Sequence, residues 1–127
     1  MTTTEIGAYG EQIASEFLKN NGYKILERNN HQSHNEIDII ASDNMYIVFV
    51  EVKTRSTGED LYLQYGSPAT AVTWAKQKRL ISAAKRYLSA NRKYAYKQPR
   101  MDVIEVFINK KDGNLLNINH IIDAFGE

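Results

Sequence analysis

The sequence predicts a mixed α/β fold: a sheet with helices packed on its faces. Two segments, one near the N-terminus and one after Thr73, repeat apolar residues at helical spacing. Three Ile- and Val-rich runs lie between them, and a fourth, "RMDVIEVFIN", follows the second helix. The order α-β-β-β-α-β fits a mixed sheet covered on both sides. The 127 residues contain no repeat, low-complexity stretch or linker, so 1–127 reads as one domain.

The first helix is "TTTEIGAYGEQIASEFLKNNG". Thr2 and Glu5 stand at capping-box spacing, Ile6, Ile13, Ala14, Phe17 and Leu18 form the apolar stripe, and Gly22 ends it. "YKILERNN" is a short strand. "NEIDIIASDNMYIVFVEVKT" is two strands around a turn at Ser42–Met45. "STGEDLYLQYGSP" has the Gly, Pro and polar content of a loop. Thr73 caps the second helix, which runs to about Ser89 on the stripe Leu80, Ile81, Ala84, Tyr87 and Leu88. "LLNINHIIDAF" is a last strand or a helical turn.

Composition excludes several classes. Hydrophobic content of 43% with 24% charged residues is ordinary for a globular chain. No apolar run approaches the ~18 residues of a membrane helix, and "MTTTEIGAYGEQ" lacks the basic and apolar regions of a signal peptide. The absence of cysteine excludes a disulfide frame and a thiolate metal site. A soluble, cytoplasmic protein with no membrane partner is expected. Net charge is only +1, but Leu61–Met101 holds no Asp or Glu. Within it, basic rows at seven-residue spacing (Lys78, Lys85, Arg92 and Arg79, Arg86, Lys93) lie opposite the helix stripe. With Arg28 and Arg55, this face suits nucleic-acid phosphates, although a solvated helix face carries the same pattern. Lys76 and Gln77, in the first turn, either reach the scissile phosphate or are ordinary first-turn residues.

The stretch "VFVEVKTR" ends an apolar strand with two opposite charges. Alternation puts Ile47, Phe49, Glu51, Lys53 and Arg55 on one face, with Val48, Val50, Val52 and Thr54 on the other. A two- or four-residue turn centred on Asp43 and Asn44 pairs Asp38 with Phe49, on the Glu51 face and diagonal to Glu51. A three-residue turn would send Asp38 to the wrong face. Two adjacent carboxylates repel unless protonated or bridged by a metal. Mg²⁺ takes one or two carboxylates and completes its shell with waters and phosphate, lowering the pKa of a bound water. A lysine beside it would stabilise charge building on a phosphodiester. Glu11 flanks the first helix's stripe, and Gly7 and Gly10 beside it would permit close backbone approach. Against this stands a plain surface ion pair, worth at most ~1 kcal/mol.

These residues resemble a known family. Asp38, Glu51 and Lys53 resemble the PD-(D/E)XK motif of restriction-endonuclease-like proteins. Nearly the whole chain is similar to the YraN-like family, through "GAYGEQIASEFLKNNGYKILERN", "NEIDII", "VFVEVKTR", "GSPATAVTWAKQKRLISAAKRYL" and "RMDVIEV". The resemblance extends to the core of archaeal Holliday-junction resolvases. It implies an αβββαβ restriction-endonuclease-like core and Mg²⁺- or Mn²⁺-dependent hydrolysis of phosphodiesters, with DNA favoured over RNA. By position it makes Glu11 the helix glutamate, Asp38 the metal-bridging aspartate, Glu51 the second carboxylate and Lys53 the catalytic lysine. The Val52 carbonyl is expected as an extra ligand. Asn35 stands where the family usually has Gly, and Asn tolerates positive φ. A homodimer stays open, since resolvases of this type act on two strands.

The expected function is a metal-dependent endonuclease acting on branched or structured DNA, with Lys76, Lys78, Arg79, Lys85, Arg86, Arg28 and Arg55 on phosphates. The alternatives are a nucleic-acid-binding module that keeps the fold without turnover, and a structural or assembly protein. His31 and His34 fall in a turn-like segment as surface residues. Tyr62, Tyr65, Tyr94 and Tyr96 either stack on bases or cap a core edge. Trp74 reads as packing, and Asp102 as structural, pairing with Arg100 or a helix terminus.

Overall fold

Helix α1 (Thr3–Asn20) begins at the expected capping box. Thr2 Oγ1 accepts the Glu5 N–H at 3.1 Å, and Glu5 Oε1 accepts the Thr2 N–H at 2.8 Å. It ends where the Asn21 side chain donates to the Phe17 carbonyl at 2.7 Å and Gly22 turns to a φ of +89°. The computed structural model describes residues 1–57 and 72–126.

Among the described residues five strands follow one another in space as in sequence: β1 (Lys24–Gln32), β2 (Asn35–Ser42), β3 (Tyr46–Thr57), β4 (Gln98–Asn109) and β5 (Leu115–Phe125). Neighbours are antiparallel except β3 and β4, which run parallel over twelve paired residues. Parallel strands need a crossover, and this one contains helix α2 (Trp74–Ala90), capped by Thr73 Oγ1 on the Lys76 N–H at 3.2 Å. "LLNINHIIDAF" resolves as strand, so the expected αβββαβ restriction-endonuclease-like core gains an antiparallel edge, β5.

The helices cover opposite faces of the sheet. Ala14 and Leu18 of α1 pack on Ile39, Val48, Val50, Ile104 and Val106. Leu80, Ala84 and Tyr87 of α2 pack on Ile40, Ile47, Phe49 and Val103. Burial on both faces explains why β3 and β4 read as nearly unbroken apolar runs. Each Leu, Ile, Val or Phe among them contributes about 1.5–3 kcal/mol when fully buried.

The β2–β3 register differs from expectation by two residues. Ile40 pairs with Phe49 and Ile39 with Val50. The turn residues are Asn44 and Met45, since the Asp43 N–H meets the Tyr46 carbonyl at 3.1 Å. Asp43 Oδ1 takes the N–H groups of Met45 and Tyr46 at 2.9 and 2.7 Å. That Asx-type grip puts Asp43 at the start of the turn, not at its centre. A slip of two leaves every side chain on its face, so Asp38 still shares the Glu51 side.

Helix α1 lies closest to β3 at Gly10. A Cβ there would overlap Thr54 Oγ1 and stand 2.8 Å from Thr54 Cβ, while one at Gly7 meets nothing within 4 Å. The close approach expected of both glycines belongs to Gly10 alone.

Asp102, fully buried on β4, is structural as expected. It accepts Arg100 Nε at 2.9 Å and Nη2 at 2.7 Å, the Asp123 N–H at 2.9 Å, and meets His120 Nε2 at 2.7 Å. Arg100 also donates to the Tyr23 hydroxyl at 2.7 Å. Burial works to raise the Asp102 pKa, but His120, Arg100 and the Asp123 amide together hold it below the usual carboxylate value. The cluster ties β4 to β5 and to the chain entering β1.

Candidate active site

The β2–β3 ladder stops at Ile39↔Val50. One pair further on, the register sets Asp38 across from Glu51. Two further on, Ile37 would take the Val52 N–H. Instead that N–H donates to Asp38 Oδ2 at 2.8 Å. A side chain thus replaces a backbone acceptor and the two strands part. A cleft of about 270 Å³ opens there, lined by His34, Glu36, Asp38, Glu51, Lys76 and Arg79.

The two carboxylates sit in low dielectric. Glu51 is 5% exposed and its Oε2 has no hydrogen-bond partner among the described residues, although Lys76 Nζ stands 3.2 Å away as an ion pair. Burial, then the adjacent Glu51, push Asp38 up to about 7, with the Val52 N–H and Lys76 pulling the other way. Lys53 is drawn below its usual value by burial and by the Lys76 ammonium, against the pull of Glu51. Sequence reasoning placed Asp38, Glu51 and Lys53 together; the structure brings Asp38 and Glu51 into one cleft, while Lys53 does not line it and is coupled to Glu51 and Lys76. Sequence reasoning did not anticipate Lys76 as the direct partner of Glu51. Gln77 turns away, donating to the Val72 carbonyl at 3.1 Å.

Glu11 stands at the flank of the site, where burial and then Asp38 raise its pKa and Arg28 lowers it. Arg28 lies 3.8 Å from Glu11 Oε1 and donates to Gln12 Oε1 at 2.8 Å. Asn29, at a φ of +52°, satisfies both neighbours once its amide is turned over, donating its nitrogen to Glu36 Oε1 at 2.7 Å and Glu11 Oε1 at 2.9 Å. The left-handed residue before β2 is Ser33 at φ +60°, not Asn35, which opens the strand with ordinary geometry. Among the described residues no group of three His, Asp or Glu side chains gathers closely enough to hold a metal alone. The carboxylates that meet there are Asp38 and Glu51, with the Val52 N–H held by Asp38, and Glu11 forms no group of three with them as the expected ligand set required.

Lys78, Arg79, Lys85 and Arg86 are exposed along α2. The helix ends at Ala90, so Arg92 and Lys93 sit in a 3-10 turn (Arg92–Tyr94) and do not continue the basic rows. Arg55 donates to Glu105 Oε2 at 3.3 Å. Glu105, 2% exposed on β4 and paired in register with Lys53, escaped sequence reasoning. Its only signal was an acid inside "DVIEVFI", and parallel pairing with β3 is what gives that meaning.

Trp74 does not pack as expected. It is 69% exposed, with Lys78 Nζ 3.8 Å above its ring. His31 and His34 are on the surface as expected, His31 at the end of β1. Tyr94 stacks on Tyr87 at the core edge, Tyr96 is exposed, and Tyr62 and Tyr65 lie outside the described residues. Two larger clefts, of about 370 and 480 Å³, lie on the other flank of α2 around Ile81 and Lys85, away from the carboxylates. No described helix is long and apolar enough to cross a membrane.

Similar proteins were found at two levels. The solved structure of Pyrococcus furiosus SfsA in complex with Ca²⁺ matches with a TM-score of 0.33 at 13% identity, over 90% of this chain. This chain spans 60% of the length of that one. A UPF0102 protein of Caldanaerobacter subterraneus is 42% identical over 120 residues, covering 94% of this chain and 93% of the relative. One from Clostridium botulinum is 44% identical over 121 residues, covering 95% and 94%. The sequence model of "Uncharacterised protein family UPF0102" matches residues 10–106. With the family's residues laid along most of its length, the chain belongs to the UPF0102 (YraN-like) family.

Proposed function

We propose that the protein is a metal-dependent endonuclease that hydrolyses phosphodiester bonds in DNA. The observation that carries this reading is the Asp38–Glu51 pair, two facing carboxylates in a cleft that Lys76 also lines, with Lys53 coupled to Glu51 from the same strand face. Such a pair fits Mg²⁺ or Mn²⁺, because Mg²⁺ takes one or two carboxylates and leaves room for water and phosphate. A buried Glu51 oxygen without a hydrogen bond is a ready ligand atom. Asp38 and Glu51 would hold the cation, with the Val52 carbonyl at its edge, while Glu11 stays on the flank. The cation, when bound, lowers the pKa of water and neutralises charge on phosphate.

Hydrolysis joins the oxygen of a water to phosphorus and breaks one P–O ester bond, leaving a phosphate end and a hydroxyl end. Lys53 faces the same side as Glu51 and stabilises the negative charge that grows on the phosphoryl oxygens. Lys78, Arg79, Lys85 and Arg86 line the exposed face of α2 and bind flanking phosphates. Branched and flap substrates are the first to try, with a dimer supplying two sites for two strands.

The test is a cleavage panel with Mg²⁺ or Mn²⁺ on junction, flap, duplex and single-stranded DNA. Cleavage that disappears with Asp38→Ala and Lys53→Ala is the expected result. Cleavage unchanged in either variant would show that the chemistry lies elsewhere. The exposed basic face of α2 favours a second reading, a binding module without turnover. That reading expects salt-dependent DNA binding that survives Asp38→Ala and no cleavage in any arm of the panel.

A further inference from the structure

We propose that Lys76 is a built-in counter-ion that occupies the place of the divalent cation, and that it moves from Glu51 to substrate phosphate when the cation binds. This rests on the metal-site reading above and goes beyond it, by naming the residue that couples cation binding to nucleic-acid binding.

The local chemistry is unusual for a helix start. The first turn of α2 contains no acid, and its third residue is Lys76. A cation there opposes the helix dipole, which favours negative charge at an N-terminus. Glu51 supplies what the helix does not, with Lys76 Nζ at 3.2 Å from Oε2. The contact is an ion pair without a hydrogen bond, since that oxygen is buried and otherwise unsatisfied. A held ammonium with incomplete bonding is easier to displace than one locked by several acceptors.

Charge counting points the same way. Glu36, Asp38 and Glu51 on one side are matched by Lys53, Lys76 and Arg79 on the other. Adding a divalent ion leaves the cleft with surplus positive charge. Glu51 is 5% exposed, whereas the Lys76 side chain is 37% exposed, so Lys76 is the member free to leave. Its backbone stays put, because the Lys76 N–H is held by Thr73 Oγ1 at 3.2 Å. Swinging on that fixed pivot, the side chain stays within the cleft it shares with Arg79, where a phosphate would lie.

The experiment titrates Mn²⁺ into the full chain without nucleic acid and reads free ion by electron paramagnetic resonance. Lys76→Met should bind Mn²⁺ more tightly than wild type, on the order of tenfold, the usual scale for coupled sites. Lys76→Arg should stay near wild type. Arg79→Met, which removes a charge from the same cleft without touching Glu51, should tighten binding clearly less than Lys76→Met does. If Lys76→Met binds no more tightly than Arg79→Met, the counter-ion role is overturned while the metal site stands. If Asp38→Asn leaves wild-type affinity intact, the metal site itself is misplaced and both readings fall.

A second measurement follows the moving charge. With Ca²⁺ in place of Mg²⁺, the salt dependence of duplex binding should be shallower for Lys76→Met than for wild type, by roughly 0.9 in logarithmic slope, one phosphate contact. Equal slopes would show that Lys76 stays on Glu51, and would overturn the transfer.

Discussion

Val52 donates its N–H to Asp38 Oδ2 at 2.8 Å, where continued strand pairing would have given it to Ile37. The cleft is made by that substitution: a carboxylate stands in for a carbonyl, and the sheet opens between two acids.

Holding that carboxylate has a stability consequence. Asp38 rises from an ordinary 3.8 to about 7 because burial and Glu51 disfavour its charge. The folded chain therefore keeps a proton that the unfolded chain has lost between those two values. Stability falls as pH rises through that window and is lowest, for this group, above about 7. Asp38→Asn retains an acceptor for the Val52 N–H and removes the charge. It should be more stable than wild type at pH 8 by on the order of 1–2 kcal/mol, and so unfold at a higher temperature, with the gain vanishing toward pH 4. Thermal unfolding at both pH values checks this. A variant less stable at pH 8 counts against the strained pair.

Lys53 separates chemistry from binding. Lys53→Met keeps the length of the side chain and removes the charge at the phosphoryl oxygens. Cleavage should fall by at least about a hundredfold, the scale for losing one electrostatic donor, while DNA affinity stays within about threefold. Single-turnover cleavage and fluorescence anisotropy on one substrate distinguish the two effects. Equal losses in both would make Lys53 a binding residue.

Gly10 and Gly7 make a matched pair on one helix. Gly7→Ala has open space and should stabilise α1 by about 0.5–1 kcal/mol through helix propensity. Gly10→Ala drives a methyl into Thr54 and should destabilise by about 1–3 kcal/mol. Urea unfolding of both, with Thr54→Gly as the relieving second change, reads the sign directly. Similar effects at the two positions would contradict the close approach of α1 to β3.

The Asp102 cluster should behave oppositely to Asp38. Burial works against its charge, but His120, Arg100 and the Asp123 amide hold its pKa below the usual value. Its contribution is thus complete above the ordinary carboxylate pKa and is lost as pH falls through the lowered one. Asp102→Ala leaves Arg100 buried without its carboxylate and should destabilise by about 3–5 kcal/mol at neutral pH. Denaturant unfolding at pH 7 measures it. A loss below 1 kcal/mol would show that the network is not holding β4 and β5.

Much of this was legible in local sequence. Thr2, Glu5, Gly22 and Thr73 bound their helices through contacts only a few residues long. The face shared by Asp38 and Glu51 survived a register error because strand alternation has period two, so Asp43 could move the turn without moving the site. What stayed hidden joins distant segments. Lys76 meets Glu51 across the α2 packing, and Glu105 meets Arg55 across a parallel pairing that no short window contains. "LLNINHIIDAF" was ambiguous because its edge position leaves one side partly wet and blurs its alternation. Trp74 was misjudged because aromatic character at a helix start says nothing about which way the ring faces.

The chain has one tryptophan, and it stands in water two positions before Lys76, with the Lys78 ammonium over its ring. Any rearrangement of that helix start changes the surroundings of a single indole. The protein thus carries its own optical reporter, and its emission under 295-nm light can follow cation or nucleic acid arriving at the cleft without an added label.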